Sequence, residues 1–197
     1  MPPYLIGIAG PSCSGKTEVA RRLSRILRAP IVALDHYYRD LRHLPYEERA
    51  RVNFDSPEAL DHELITAQAQ TLKRGGTIEK PTYDFTQHLR APATERVEPG
   101  TYVILEGLFA LYWEEVRNLL DLGIYITATH EVCLARRIFR DVRERGRTEE
   151  SVRQQYRETV QPMCEAYVAP TSRFARIVLS GTDPVKQSVR TILDAIL

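Results

Sequence analysis

Residues Tyr4-Leu5-Ile6-Gly7-Ile8-Ala9-Gly10-Pro11-Ser12-Cys13-Ser14-Gly15-Lys16-Thr17 run from an apolar, β-rich segment into a small-residue loop. From Gly10 to Thr17 the loop fits G-x-x-x-x-G-K-[ST]. Immediately after it, Val19, Leu23, Ile26 and Leu27 recur at helical spacing, with Arg21, Arg22, Arg25 and Arg28 on other faces. Strand, loop and amphipathic helix in that order are the context the motif requires. Glycines let the backbone wrap a phosphate, while loop amides and the helix N-terminus supply oriented donors. Lys16 adds a cation near the β/γ-phosphates and the Thr17 hydroxyl is a ligand for Mg²⁺. With only four lysines among 27 basic residues, a chance match has a probability on the order of one in a thousand. The other reading is a plain Gly/Ser turn before a helix. Cys13 reads either as a small loop residue or as a reactive thiol.

Outward from this loop the pattern repeats. Ile31 to Leu34 stops at Asp35, Tyr102 to Leu105 at Glu106, Gly123 to Thr127 near Ala128, and Ile177 to Leu179 at Ser180. Between these five buried-type strands lie helical patterns: Leu60 to Leu72 before Gly75-Gly76, Leu134, Ile138 and Val142 before Gly146, and Val185 to Ile196. Apolar strands alternating with helices predict an α/β fold, a five-stranded parallel sheet covered on both faces in three layers. Ligands of such sheets sit at the carboxyl ends of the strands, where Gly10, Asp35 and Glu106 fall.

The chain has 197 residues, 43% hydrophobic and 27% charged, with net charge +1. That suits one globular domain over 1–197 and excludes disordered or collagen-like chains. The balanced charge argues against nucleic-acid binding. No stretch of 18 apolar residues and no signal-peptide pattern occurs, so no membrane partner and a cytoplasmic location are expected. Three separated cysteines, Cys13, Cys133 and Cys164, fit neither a disulfide framework nor a structural zinc.

Glu106 is placed to hold Mg²⁺ directly or through water, and otherwise is an ordinary strand-end acid. Asp35 would face the same cleft and accept the proton of an attacking hydroxyl; its rival role is a helix N-cap before His36. From Glu131 to Arg147 the chain carries Arg136, Arg137, Arg140, Arg143, Arg145 and Arg147, with Leu134, Ile138 and Val142 as the opposite apolar stripe. Arg143 reads as solvated. Several of the others suit an arginine-rich helical lid, about 131–160, that closes over a transferring phosphate, with Gly146 as hinge or cap.

Further segments carry a resemblance. Gly7-Ile8-Ala9-Gly10, Asp35-His36-Tyr37-Tyr38, Asn53-Phe54-Asp55-Ser56-Pro57, Tyr83-Asp84-Phe85-Thr86-Gln87-His88-Leu89-Arg90, Leu105-Glu106-Gly107 and Arg136-Arg137 through Arg140-Asp141 to Arg145-Gly146-Arg147 resemble the uridine kinase (uridine-cytidine kinase) family of P-loop kinases. The likeness runs from about Tyr4 to Ser180, and its most discriminating part is Tyr83 to Arg90. The loop reads Pro-Ser-Cys-Ser where that family usually has more Gly, and His36 replaces a customary Ser.

The resemblance implies Mg²⁺-dependent transfer of the γ-phosphate of ATP or GTP to the 5′-hydroxyl of uridine or cytidine, often by a homotetramer. It implies a β-hairpin nucleoside-binding insertion at about 77–100. Asp35, Lys16 and Arg140 are the catalytic expectations. The nucleotide is expected on Gly10, Ser12, Cys13, Ser14, Gly15, Lys16, Thr17, Arg145 and Arg147, and the metal on Thr17 and Glu106. Asp35, Tyr38, Phe54, Asp55, Tyr83, Phe85, His88, Arg137 and Gln155 are expected to bind the nucleoside. A flat base and two vicinal hydroxyls do call for aromatics, a carboxylate and an edge-reading His. Strand packing for Tyr83 and Phe85, a surface imidazole for His88 and an Asp-x-Pro turn for Asp55 are the alternatives. A kinase of another hydroxyl metabolite, such as a sugar phosphate or pantothenate, and a nucleotide-binding regulator without turnover are the competing functions. A GTPase lacks support because no Asn-Lys-x-Asp segment occurs.

Overall fold

The computed structural model describes residues 1–196. Five parallel strands form the central sheet: β1 (Tyr4–Ala9), β2 (Ile31–Ala33), β5 (Tyr102–Glu106), β6 (Leu122–Thr127) and β7 (Ile177–Ser180), in the order β2-β5-β1-β6-β7. β1 is central and buried from Leu5 onward, as a continuous apolar run in a two-faced sheet requires. Helices α1 (Lys16–Leu27) and α8 (Val185–Ile196) cover one face, where Leu23, Val189 and Ile192 pack on Ile6, Ile8 and Ile124. On the other face Leu5, Val103 and Leu105 meet Phe109, Leu111 and helix α3 (His62–Lys73). The short helices α2 (Tyr46–Arg49), α4 (Glu114–Arg117) and α7 (Gln161–Met163), with α5 (His130–Arg145) and α6 (Glu149–Gln155), complete the set.

Register places the chemistry. Ile8 and Ala33 both pair with Glu106, so three strands end together at one edge, with Gly10 and Asp35 each two residues further on. β2 stops one residue sooner than expected: Leu34 begins a 3-10 turn, Leu34–Tyr37, whose N-cap is Ala33. Asp35 therefore lies inside that turn and does not cap it.

The Thr77 to Gly100 region forms an antiparallel hairpin, β3 (Ile78–Asp84) and β4 (Leu89–Val97), shifted in register between Pro81 and Tyr83. Arg90 fastens it to the body by donating to the carbonyls of Tyr38 (2.9 Å) and Tyr37 (3.3 Å) and to the Asp61 carboxylate (2.9 Å). Asp61 also caps α3 through Leu64 N.

One helix faces opposite to expectation. In α5 the buried residues are Cys133, Arg137 and Asp141, whereas Val142 and Phe139 are exposed and Leu134 and Ile138 half-buried. Its charged face turns inward because carboxylates and loop carbonyls compensate the guanidiniums there, so periodicity does not decide which face is covered. Arg143 lies over the exposed Phe139 ring at 4.0 Å, on the solvent side. Gly146, at φ 63°, caps α5.

Candidate active site

The phosphate loop joins β1 to α1, and its backbone demands explain its residues. Gly10 has φ 148°, and a Cβ there would stand 2.2 Å from the Ile126 carbonyl oxygen. Gly15 and Cys13 also take positive φ, 106° and 64°; for Cys13 that is a left-handed conformation a side chain disfavours. The buried Lys16 ammonium donates to the Pro11 carbonyl (3.2 Å) across the loop and lies 4.0 Å from Glu106 Oε1. The Thr17 hydroxyl donates to the same Glu106 oxygen (3.2 Å). Burial raises the Glu106 carboxyl above its ordinary range, with Lys16 opposing the shift. Ser14 Oγ is buried with no hydrogen-bond partner. An orphaned hydroxyl inside a ring of glycines, beside a cation and a pair of hard oxygen donors, suits a magnesium-bound polyphosphate.

Asp35 lies at the same edge. It follows Ala33, which pairs with Glu106, by two residues and precedes Tyr38, which meets Phe54 and Tyr83, by three. Among the described residues its carboxylate makes no side-chain hydrogen bond or ion pair.

Beyond Asp35 is an aromatic cluster from three chain segments. Tyr38 meets Phe54 (5.0 Å between ring centroids) and Tyr83 (5.2 Å), Tyr83 meets Phe85 (5.2 Å), and His88 stacks on Phe54 (5.0 Å, 13°). Phe85 is 43% exposed and belongs to the hairpin turn, not to β3, yet it still abuts Tyr83. Burial lowers the His88 pKa, and Arg49 acts in the same direction, so the ring is neutral at pH 7. Burial likewise raises the Tyr83 hydroxyl to about 12.

Arginine side chains link the two halves. Arg137, 7% exposed, donates to Ser12 Oγ (3.2 Å) and Gln155 Oε1 (3.3 Å) and lies 3.9 Å from Asp55. Burial raises the Asp55 carboxyl, and Arg137 holds it partly down. Arg147 also donates to Gln155. Arg140 donates to Asp141 (2.8 Å), and Arg145 and Arg147 approach Asp141 at 3.5 and 3.7 Å.

The structure thus brings Gly10 to Thr17, Asp35 and Glu106 to one strand edge, and joins Asp55 and Gln155 to them through Arg137. Sequence reasoning gave no specific role to three residues. Asp141, fully buried, is the common partner of those arginines; the Arg-Asp pair at 140–141 was its only signal. Arg136 is a staple: it donates to the carbonyls of Cys13 (3.3 Å), Ser14 (3.2 Å) and Gly181 (2.9 Å). Gly181 is the third, and a Cβ there would stand 1.9 Å from the Ser14 carbonyl oxygen.

Comparison with known proteins agrees with this arrangement. The chain is 43% identical over 182 residues to a uridine kinase of Chloroflexus aggregans, covering 91% of this chain and 87% of the relative. A uridine kinase of Brevibacillus brevis is 44% identical over 180 residues, covering 90% and 84%. Among solved structures, the phosphoribulokinase of Rhodobacter spheroides superposes with a TM-score of 0.66 at 18% identity, covering 93% of this chain and 74% of the other, a likeness of fold. The family described as Phosphoribulokinase / Uridine kinase matches residues 5–187, and it is to this family that the chain belongs.

Proposed function

We propose that the protein is a pyrimidine nucleoside kinase of the cytosol that transfers the γ-phosphate of ATP or GTP to the 5′-hydroxyl of uridine or cytidine. One observation supports the reading: Asp35, two residues past the Ala33–Glu106 pair at the phosphate-loop edge and three before Tyr38 of the aromatic cluster, joins the two, with the Asp55–Arg137 pair beside them. The uridine kinases at 42–44% identity support the substrate class.

In this reading Asp35 takes the proton of the 5′-hydroxyl as its oxygen bonds to the γ-phosphorus and the bond to the β-phosphate oxygen breaks, releasing the nucleoside diphosphate. Lys16 and Arg140 stabilise charge on the transferring group, and Arg145 and Arg147 close over the phosphates and exclude water. Thr17 and Glu106 would hold Mg²⁺, which when bound neutralises phosphate charge. Asp55 and Arg137, with Gln155, engage the ribose hydroxyls. Tyr83 and Phe85 border the base, with Tyr38 and Phe54 behind them. Neutral His88 serves either pyrimidine, donating to the O4 of uridine or, in the other tautomer, accepting from the N4 amine of cytidine. Family resemblance extends the reading to a homotetramer.

Initial rates with ATP and Mg²⁺ on uridine, cytidine, adenosine, ribulose 5-phosphate and pantothenate test it. Uridine and cytidine are expected to exceed the others by at least an order of magnitude in kcat/KM. Preference for any of the other three overturns the assignment.

A further inference from the structure

Arg137, Arg140, Arg145 and Arg147 converge on one carboxylate, Asp141, which is 0% exposed. Four guanidiniums share this one fully buried anion, and the second carboxylate nearby, Asp55, lies 3.9 Å from Arg137 alone among them. Burial and the nearby Arg140 charge together lower the Arg145 pKa, which registers the crowding. The contacts are also uneven. Only Arg140 makes a close hydrogen bond, from its Nε at 2.8 Å; the others approach at 3.5–3.7 Å. Asp141 Oδ2 and Arg137 Nε are buried with no hydrogen-bond partner. Arg136 on the same helix is different, with three backbone carbonyls engaged. Arg137 and Arg147 also donate elsewhere, Arg137 to Ser12 and Gln155 and Arg147 to Gln155 and the Ser151 carbonyl, so the four are gathered on Asp141 but unequally held, and among the described residues Arg145 makes no hydrogen bond.

We propose that Asp141 is a positioning residue, an internal stand-in for phosphate: it holds these arginines together while the site lacks a polyanion and, through Arg140 Nε, aims that residue's two terminal nitrogens at the transferring phosphate. The inference rests on the kinase reading above and adds to it where the arginines wait and what orients them. A carboxylate on Nε occupies one edge of the planar fork and leaves the other donors for the phosphate. The slack contact of Arg145, at 3.5 Å and with no hydrogen bond among the described residues, lets it move to an incoming polyphosphate without a strong bond being broken first.

The test compares wild type with Asp141→Asn, which keeps shape and removes charge. Turnover at saturating uridine and ATP is expected to fall about 10²-fold, the effect of a misaimed phosphate ligand, with the uridine KM within about threefold of wild type. Thermal melting provides a readout independent of turnover. The Tm of Asp141→Asn is expected below wild type, and inorganic pyrophosphate is expected to raise it more than it raises the wild type, because the anion replaces the lost charge. Adding Arg145→Gln to Asp141→Asn is expected to recover part of the Tm by removing repulsion, without recovering turnover. An unchanged kcat, equal pyrophosphate shifts, or a double variant no more stable than Asp141→Asn each overturns the proposal; the last comparison also decides the matter if the single variant folds poorly. A wild type that melts as expected but does not phosphorylate uridine overturns the nucleoside reading and leaves this one standing.

Discussion

The phosphate end and the nucleoside end of the site are built in opposite ways. At the phosphate end, eight consecutive residues from Gly10 to Thr17 do most of the work, held by backbone geometry and by short polar contacts to Pro11 and Glu106. At the proposed nucleoside end, Tyr38, Phe54, Tyr83 and His88 come from three segments and meet through ring contacts of 5.0–5.2 Å, each worth about 0.5–1.5 kcal/mol beyond its buried area. In the proposed reaction the contrast would anchor phosphoryl transfer to the sheet edge and rest recognition on an appended hairpin that Arg90 helps to clamp. Damage at the first end should therefore appear in turnover and damage at the second in nucleoside affinity.

The most severe test of that division is Asp35→Asn, at the junction of the two ends. Removing the proton acceptor while keeping shape is expected to lower kcat by about 10²–10⁴-fold and leave uridine binding within a few-fold of wild type. Weakened binding with normal saturating turnover would move Asp35 into the nucleoside end. A smaller effect is expected from His88→Ala, which should cost about 1–3 kcal/mol in kcat/KM for uridine and cytidine alike while the KM for ATP stays put. A shift in the ATP value instead would dissolve the division.

The smallest effect is expected at Asp55. Its native carboxyl titrates above the ordinary value because it is buried, so the folded state keeps a proton that the unfolded chain has released. Below the ordinary carboxylate range both states are protonated and this contribution to stability is complete; it is lost as pH rises through the raised native value. Asp55→Asn lacks that loss and should match or exceed wild-type stability at pH 7, as denaturant melts at pH 4 and 7 would show. The same variant is expected to hurt uridine more than its 2′-deoxy analogue. A stability fall at pH 7 would mean that Arg137 outweighs burial.

The same division governs what could be read from the chain. Where function is local, residues sufficed: the order of apolar strands and amphipathic helices predicts the sheet, and Gly10 to Thr17 announces the loop, because both depend on near neighbours. Asp35 and Glu106 were legible as strand-end acids. The resemblance, more than any periodicity, pointed to Tyr83, Phe85 and His88, since no spacing rule predicts that Phe54 stacks on an imidazole 34 positions away. Helix α5 misled for a physical reason. Its hydrophobic stripe is real, but paired guanidiniums can be buried too, and that made Arg137 and Asp141 the covered face.

Gly181 closes the turn after β7 so tightly that its missing side chain is the space in which the phosphate loop rests. Its amide donates to Thr127 O at 2.7 Å and its carbonyl receives Arg136, so the turn is tied to two walls of the nucleotide cleft. The turn after β7 is thus a wall against which the phosphate loop is seated, and in the proposed reading grafts or linkers introduced between β7 and α8 would be felt as changes in nucleotide handling.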